Sequence, residues 1–498
     1  MAAAVAAAYL LVGPFSADLA AHTFRAELFG REGFALWNGQ WYGGHHLPGY
    51  SLLFPPVAWA LGPRLAGAVG AVAAAALFAA LVRGRWGARA ELGALWFAAL
   101  GTASLLCTGR LAFGFGLAVG LASLLALQRG RRAAALVLAL ATALASPVAA
   151  LFLGLAAAAL VVAGSGRRTG LALAAAALGP VALLAVLFPE GGTEPFAPSS
   201  FWPVIVFAVL ALPVLGREER VLRAGVVLYG VAALAFFVVP TPVGGNAARL
   251  GPLLAGPVAA AVLLSARRRR SLALLAVPLL AWQLTAPVLD LRTAAGDPSV
   301  HAGYYAGLLA FLGRQGGPPA RLEIPFTRLH WEAARVAPTA PLARGWERQL
   351  DRRFDGLFYA PLTPAAYHRW LDDLAVRWVA LPDVALDASA AQEARLLRAK
   401  LPYLRPVWRD AHWRVWELRR RRPLARGPAR VTSYGPDAVV LRARHAGRVD
   451  LQVRWTRWWA LAEGRGCVSA APEGWTRLDL RAAGPVRLVT SLTAGACR

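Results

Sequence analysis

Apolar segments dominate residues 1–288, and only a few polar residues separate one segment from the next. An α-helix needs about 20 apolar residues to cross a bilayer, so the pattern predicts about eleven membrane-spanning helices. Residues 2–14 are short for a full span, so either this helix continues into the next loop or the start codon lies upstream. The approximate bounds are 2–14, 51–82, 90–107, 111–128, 133–145, 148–164, 170–188, 201–215, 221–239, 251–265 and 271–288.

Arginines divide the connections between these helices into two sets that alternate strictly along the chain. The positive-inside rule places the arginine-rich set in the cytoplasm, and therefore the other connections and everything after residue 288 outside it. The pair 133–145 and 148–164 is alternatively one broken helix, but that would set every later loop against the rule. The arginine-rich set comprises Arg83, Arg85 and Arg89; Arg129, Arg131 and Arg132; Arg167 and Arg168; Arg217, Arg220 and Arg223; and 267–270.

Residues 289–498 contain no further span and show two patterns. Helical and strand-like segments alternate through 289–425, which predicts a small α/β module. Short alternating runs separated by Gly and Pro fill 426–498, which predicts a compact β-sandwich. The expected fold is thus a polytopic α-helical membrane protein (1–288) followed by these two extracytoplasmic domains.

The net charge of +26 does not indicate a nucleic-acid partner. Residues 1–288 contain 20 arginines and 8 acidic residues. These arginines cluster in short loops, so they indicate which loops lie in the cytoplasm. Lys400 is the single lysine of the chain, which indicates a coding bias towards arginine. Cys107 lies in an apolar segment and is expected to pack there. Cys467 and Cys497 are able to form a disulfide if their region is extracytoplasmic.

The first polar stretch carries the most suggestive chemistry. Asp18, His22 and Arg25 stand at i, i+4 and i+7, so they share one face of a helix. A carboxylate, an imidazole and a guanidinium at a membrane boundary suit acid–base work and phosphate binding. The alternative is an interfacial amphipathic helix whose polar face is merely solvated.

Trp41, Tyr42 and His45 follow in the same stretch. The aromatic side chains fit either an interfacial belt or a surface that stacks on sugar rings. Adjacent histidines in a loop, here His45 and His46, are not a metal signature, so no metal site is assigned. No cofactor is identified, and a divalent metal ion is left open.

Arg110, Asn246 and Arg249 lie in connections that the charge rule places outside. Arginines on that side run against the positive-inside bias and suit a lipid-linked phosphate. Headgroup contacts or helix capping are the alternative. The sequence has no Walker A loop, HExxH, CxxC or GxSxG motif, which gives no support to an ATP-driven pump or a serine hydrolase.

Six segments carry a family resemblance: 37–44 (WNGQWYGG), 49–56 (GYSLLFPP), 108–113 (TGRLAF), 245–250 (GNAARL), 323–332 (EIPFTRLHWE) and 341–350 (PLARGWERQL). With the order of spans and the C-terminal region, they resemble the polytopic type-C glycosyltransferases. Within that class, the chain is most similar to uncharacterised actinobacterial membrane proteins akin to the 6-pyruvoyl-tetrahydropterin synthase-related membrane family.

The resemblance implies transfer of a sugar, at the outer face of the plasma membrane, from a polyprenyl-phosphate donor to a cell-envelope acceptor. Asp18 matches the acidic residue that acts as general base on the acceptor hydroxyl. Many such enzymes carry paired acids in this loop, whereas here Glu27 follows only nine residues later. The residues expected to bind substrates are His22, Arg25, Trp41, Tyr42, His45, Arg110, Asn246 and Arg249. A flippase for a lipid-linked precursor and a non-catalytic envelope scaffold are the competing hypotheses.

Overall fold

The computed structural model describes residues 1–493 and 495–497 and divides into two compact units. The helical unit contains residues 1–26 and 48–295, and the sheet unit contains residues 27–47 and 296–498. The division differs from the predicted boundary at 288, because residues 27–47 belong to the sheet unit. Backbone hydrogen bonds explain this: Gly39 N donates to Pro436 O at 2.6 Å, and Leu342 N donates to Gln40 O at 2.8 Å. The predicted division at residue 425 stays a prediction.

Helices account for nearly all of the helical unit, and each predicted span coincides with one or two of them. The helices are α1 (Ala2–Val12), α2 (Ala17–Glu32), α3 (Phe54–Leu61), α4 (Pro63–Trp86), α5 (Glu91–Trp96), α6 (Thr102–Cys107), α7 (Leu111–Gln128), α8 (Arg132–Ala145), α9 (Pro147–Val162), α10 (Arg167–Leu187), α11 (Pro198–Val214), α12 (Arg220–Val238), α13 (Leu250–Ser265) and α14 (Arg269–Ala294). From Glu27 onward, α2 is assigned to the sheet unit.

By length and composition, 6 helical runs in the described part of the chain are able to cross a membrane, or 7 if the bent pair α1–α2 is one span. One of these runs, Pro63–Cys107, contains two passes. Phe78 of α4 stacks on Phe97 at 4.7 Å between ring centroids. Nineteen helical residues would separate them by about 28 Å, so the chain reverses between them, at the 3₁₀ turn Gly87–Ala90. The chain is therefore a multi-pass membrane protein.

The chain also reverses between α8 and α9. Ala139 of α8 shares one buried cluster with Leu153 and Ala157 of α9. In one continuous helix, Ala139 and Leu153 would lie about 21 Å apart. Ser146 breaks the helix with an extended backbone, and its hydroxyl accepts a hydrogen bond from Ala149 N that caps α9. The two helices are therefore separate, as the alternation of the charged loops requires.

The first strands of the sheet unit are β1 (Trp37–Asn38) and β2 (His45–His46), which pair as a hairpin with two residues in each strand. The later elements of this unit lie in the C-terminal region. Its helices are α15 (Ala306–Gly313), α16 (Glu332–Arg335), α17 (Arg348–Phe354), α18 (Pro364–Asp373) and α19 (Ala391–Arg398). Its further strands are β3 (Arg321–Glu323), β4 (Val376–Pro382), β5 (Leu404–Arg409), β6 (Trp413–Leu418), β7 (Ala425–Arg426), β8 (Ala429–Tyr434), β9 (Ala438–Ala443), β10 (Gly447–Arg454), β11 (Trp459–Glu463), β12 (Gly466–Ala470), β13 (Trp475–Leu480) and β14 (Gly484–Thr490).

Besides the pair β1-β2, three four-stranded sheets organise these strands. The first has the order β3-β4-β6-β5, with β3 and β4 parallel and the other pairs antiparallel. The other two, β12-β13-β10-β7 and β11-β14-β9-β8, are antiparallel. Their alternating apolar residues, among them Leu441, Leu451 and Leu478, enclose one core. Burying each leucine contributes about 1.5–3 kcal/mol. Cys467 on β12 is disulfide-bonded to Cys497.

Candidate functional site

The turn between α6 and α7 packs against the start of α2. Gly109 has φ of 69°, and a Cβ at this position would collide with the Ser16 hydroxyl. That hydroxyl accepts a hydrogen bond from Leu19 N at 3.4 Å, in the first turn of α2. Glycine is therefore required here by both backbone conformation and space. The turn delivers Arg110, which directly precedes α7, to the end of the helical unit that carries Asp18.

Gly109→Ala is expected to lower the thermal midpoint of the purified full-length protein more than Gly130→Ala does. Both glycines have positive φ, of 69° and 73°, but a Cβ on Gly130 would point into open space, with no described atom within 4 Å. The left-handed backbone alone costs alanine about 1–2 kcal/mol, and the collision with Ser16 adds to that cost only at residue 109. Equal shifts for the two variants would contradict this close packing.

A 3₁₀ helix, Gly244–Arg249, positions the second arginine at the start of α13. The buried Tyr229 hydroxyl fixes this segment, since it donates to Ala247 O at 3.1 Å and accepts from Gly251 N at 3.0 Å. Asn246 and Arg249 are three residues apart, which places them on the same face of a 3₁₀ helix.

Arg249 and Asp18 form a long ion pair. Arg249 Nη2 lies 4.0 Å from Asp18 Oδ2, and the two side chains are 22% and 35% exposed. The guanidinium also lies 5.9 Å from the centroid of the Phe113 ring on α7. The pair is thus accessible to solvent, so it is weak and an incoming anion can compete for Arg249.

Arg110 interacts electrostatically with both Arg249 and Asp18. Burial and the neighbouring Arg249 lower its pKa to about 10, whereas Asp18 and Asp290 act to raise it. Arg110 therefore remains protonated at neutral pH. Asp290, near the end of α14, was not among the residues predicted from the sequence. One sequence feature could have identified Asp290, namely that it is an acidic residue two positions beyond the last predicted span.

These four side chains, Asp18, Arg110, Arg249 and Asp290, form what we call the polar group. Two helices, α7 and α13, begin directly after its arginines, and α2 carries Asp18 in its first turn. The N-terminus of a helix carries a partial positive charge and unpaired N–H groups, which favour an anion. Two arginines beside such termini suit a phosphate, while the two carboxylates offset the charge of the arginines.

His22 and Arg25 share the helix with Asp18 but pack into the unit. His22 is 3% exposed, and its ring centroid lies 5.1 Å from that of Phe54 and 6.0 Å from that of Tyr50. The Arg25 guanidinium lies 3.8 Å from the Tyr50 centroid. The shared face predicted for the three residues exists, but burial distinguishes His22 and Arg25 from the more accessible Asp18.

Trp41, Tyr42 and His45 were predicted to line the same site, but they belong to the sheet unit and are buried there. The Tyr42 hydroxyl donates to Gly345 O, and His45 Nε2 lies 3.1 Å from Asn38 Nδ2. The rings therefore serve the core of that unit, and we do not assign them to the polar group.

An apolar cavity of about 270 Å³ adjoins the turn that carries Arg249. Its lining includes Tyr229, Leu250 and Gly251, together with side chains of α7, α9 and α12. A second apolar cavity, of about 220 Å³, shares lining residues such as Phe207 and Val258 and reaches Leu263. From Leu250 to Leu263, α13 rises about 20 Å, so the two cavities line much of one membrane crossing.

Within residues 1–493 and 495–497, no group of three or more His, Cys, Asp or Glu residues is arranged to hold a metal ion.

No protein-family model matches this chain, and no curated protein matches it either. One similar solved structure is the crystal structure of ArnT from Cupriavidus metallidurans bound to undecaprenyl phosphate. It is 14% identical, the match covers 81% of this chain and 93% of that chain, and the TM-score is 0.40. The predicted relationship to actinobacterial membrane proteins stays a prediction.

Proposed function

We propose that this chain is a membrane glycosyltransferase that moves a sugar from a polyprenyl-phosphate donor to a cell-envelope acceptor. One observation carries the proposal: Asp18 lies 4.0 Å from Arg249 and interacts electrostatically with Arg110, next to the turn where the apolar cavities along α13 begin. A lipid-linked sugar has the matching parts, namely an apolar tail, a phosphate and a reactive sugar carbon next to that phosphate.

The donor is expected to bind with its phosphate at Arg110 and Arg249 and its tail in the cavities along α13. Charge-assisted hydrogen bonds from guanidinium groups to phosphate are strong and directional. The cavities are lined almost wholly by aliphatic and aromatic side chains, which suits an isoprenoid tail. Binding of the phosphate would draw Arg249 away from Asp18 and leave that carboxylate available.

Asp18 is then the general base for the acceptor. The carboxylate takes the proton of an acceptor hydroxyl as the hydroxyl oxygen bonds to the anomeric carbon. The bond from that carbon to the phosphate oxygen breaks, and its electron pair stays on the lipid phosphate. Arg110 and Arg249 stabilise the negative charge that accumulates there.

We place the polar group at the outer face of the plasma membrane. The arginine-rich connections alternate with the connections that carry Arg110 and Arg249, and the positive-inside rule assigns the former to the cytoplasm. The disulfide between Cys467 and Cys497 suits an oxidising compartment outside the cytoplasm.

A flippase for a lipid-linked precursor would use the same two apolar cavities. Such a carrier also needs polar side chains along these cavities to pass the headgroup across the membrane. Among the residues that line the two cavities, Tyr229 and Trp282 are the side chains that carry a polar atom. The lining therefore favours a bound tail over a transported headgroup.

Replacement of both arginines, in Arg110→Gln/Arg249→Gln, is expected to weaken binding of a polyprenyl phosphate at least tenfold. Each charge-assisted hydrogen bond contributes about 1.5–3 kcal/mol, and about 1.4 kcal/mol corresponds to a factor of ten. Binding of a fluorescent polyprenyl phosphate to the purified protein in detergent measures the effect. Arg292→Gln, which removes an exposed arginine from the last turn of α14, is the matched control. Equal losses in both variants would contradict the assignment.

A further inference from the structure

The two outer faces of the C-terminal sandwich differ in how their charges are arranged. On the sheet that contains β10 and β13, arginines face aspartates across the strands. Arg448 Nε lies 3.6 Å from Asp479 Oδ1, and Arg477 Nε lies 2.8 Å from Asp450 Oδ1. Arg426 on β7 also lies opposite Asp450, so three arginines share two aspartates and each of them has an acidic neighbour, as cross-strand pairing of opposite charges favours.

The outer face of the other sheet is basic. Arg430 on β8 lies directly opposite Arg442 on β9, and both are exposed. Arg487, on the neighbouring strand β14, lies opposite Val440 and so is diagonal to Arg442. Glu463 is the acid that faces Arg487 across the strands. In the part of the chain that the structure describes, neither Arg430 nor Arg442 has an ion pair.

Like charges directly opposite each other destabilise a sheet. The arrangement Arg430–Arg442 therefore costs folding free energy that an opposite-charge pair, as on the other face, would not. A bound anion would remove that repulsion, since one carboxylate or phosphate accepts hydrogen bonds from two guanidinium groups. Directly opposite side chains begin about 5 Å apart and diagonal ones about 7–8 Å apart, so the three arginines form a continuous row across three strands.

We propose that this face, defined by Arg430, Arg442 and Arg487, binds an extended glycan that carries recurring carboxylate or phosphate groups. The row suits a chain that lies across the strands with one anionic group near each arginine. The proposal concerns binding alone, goes beyond the proposed transfer reaction and does not depend on it.

A membrane surface fits this face less well. Peripheral attachment to lipid needs apolar side chains that insert between the headgroups, in addition to positive charge. The neighbours of the arginines on this face are Thr432, Val440 and Pro485. Among the described residues from 425 onward, Leu492 is the exposed large hydrophobic side chain, and it lies beyond the last strand. The face therefore has the charge for an anionic polymer without the anchor for a bilayer.

The test is binding of oligogalacturonate, which carries a carboxylate on every sugar, to the purified full-length protein in nanodiscs of neutral lipid. Arg430→Gln/Arg442→Gln is expected to weaken binding about tenfold and to reduce its salt dependence. Arg448→Gln/Arg477→Gln removes the same charge from the opposite face and is expected to leave binding within about twofold. Arg430→Lys/Arg442→Lys keeps the charge and should bind within about threefold of the unmodified protein.

Three outcomes would overturn the proposal. The first is equal weakening by the two glutamine double variants, which would make the attraction a property of net charge. The second is equal affinity for neutral dextran. The third is loss, in Arg430→Gln/Arg442→Gln, of attachment to phosphatidylglycerol vesicles with no change in oligogalacturonate binding, which would make the partner a membrane. Failure of the transfer assay in the unmodified protein would affect the proposed function and leave this result unchanged.

Discussion

Asp18→Asn is expected to lower the rate of sugar transfer by about 10²–10⁴-fold, the usual contribution of a positioned general base. Asparagine has nearly the same shape as aspartate but does not accept a proton at neutral pH. Binding of polyprenyl phosphate should persist, because Arg110 and Arg249 remain and Arg249 loses a competing partner. The measurement is sugar transfer by the purified variant, with donor binding measured on the same preparation.

Glu27→Gln is the matched control for that variant. Glu27 lies on the same helix, is exposed and is the acid that would complete a pair of acids with Asp18. Transfer by Glu27→Gln should equal that of the unmodified protein. If Asp18→Asn were active and Glu27→Gln inactive, the general base would be Glu27 and not Asp18. If Asp18→Asn lost donor binding and transfer together, Asp18 would be a structural residue.

The helical part of the fold was predictable because its signals are local. The apolar segment 111–128 lies between Arg110 and Arg129, and helix α7 occupies the same residues. The predicted span 133–145 likewise matches α8 to within one residue. Both helices are predominantly apolar; α7 is flanked by Arg110 and Arg129, and α8 runs from Arg132 to the break at Ser146, so each segment alone determines its structure.

The polar group was predictable only in part, because it depends on tertiary contacts. Asp18, Arg110 and Arg249 were selected from their places in the connections, and the structure brings them into one electrostatic group. Asp290 lies two positions beyond the predicted end of the last span at 288, and helix α14 continues past that bound to Ala294, so the link between Asp290 and this group depended on a helix end that the sequence did not predict. Trp41 was predicted to bind substrate because the local sequence does not indicate whether a side chain is buried.

Some strands of the sheet unit have little local signal. The sequences of β5, β11 and β12 lack the regular alternation of apolar residues that β9 and β13 show. Their hydrogen bonds come from neighbours, as in the pairing of Cys467 on β12 with Asp479 on β13. Pairing across a sheet stabilises strands of weak local preference, and single-sequence patterns do not contain that information.

A buried charge network holds the first part of the sheet unit together. Arg344 donates two hydrogen bonds of 2.9 Å to the Asp351 carboxylate, and Nη1 lies 3.6 Å from Glu393 Oε2. Its guanidinium lies 3.8 Å from the ring centroid of Phe326 and 4.0 Å from that of Phe358. All these charged side chains are at most 1% exposed. One arginine is thus enclosed by carboxylates and two rings.

The carboxylates exceed the positive charge available to them, so some are held protonated. Burial raises the pKa of Asp355 to about 8 and that of Glu393 to about 7, and it raises the pKa of Glu323 well above its usual value. For acids with a raised pKa in the folded state, folding takes up protons. Their effect therefore lowers the free energy of unfolding as pH rises from about 4 to about 8.

Arg344→Met is expected to lower the free energy of unfolding by about 3–5 kcal/mol, because it leaves Asp351 buried without its counter-charge. The unfolding midpoint of the full-length protein in detergent, followed by tryptophan fluorescence, measures this loss. Arg398→Met, on an exposed position of α19, should change the free energy by less than about 0.5 kcal/mol. The loss should be smaller near pH 4, because Arg344 lowers the pKa of Glu323 and Glu393 and its charge matters less once these carboxyl groups are protonated.

Adding Asp351→Asn to Arg344→Met distinguishes electrostatics from packing. If the uncompensated carboxylate causes the loss, its removal should recover part of the stability, because the two substitutions act on one ion pair and are not additive. If the loss comes from the contacts of Arg344 with Phe326 and Phe358, the double variant should be less stable than Arg344→Met alone. That result, with no dependence on pH, would show that the guanidinium acts here as a packed side chain and that its charge contributes little.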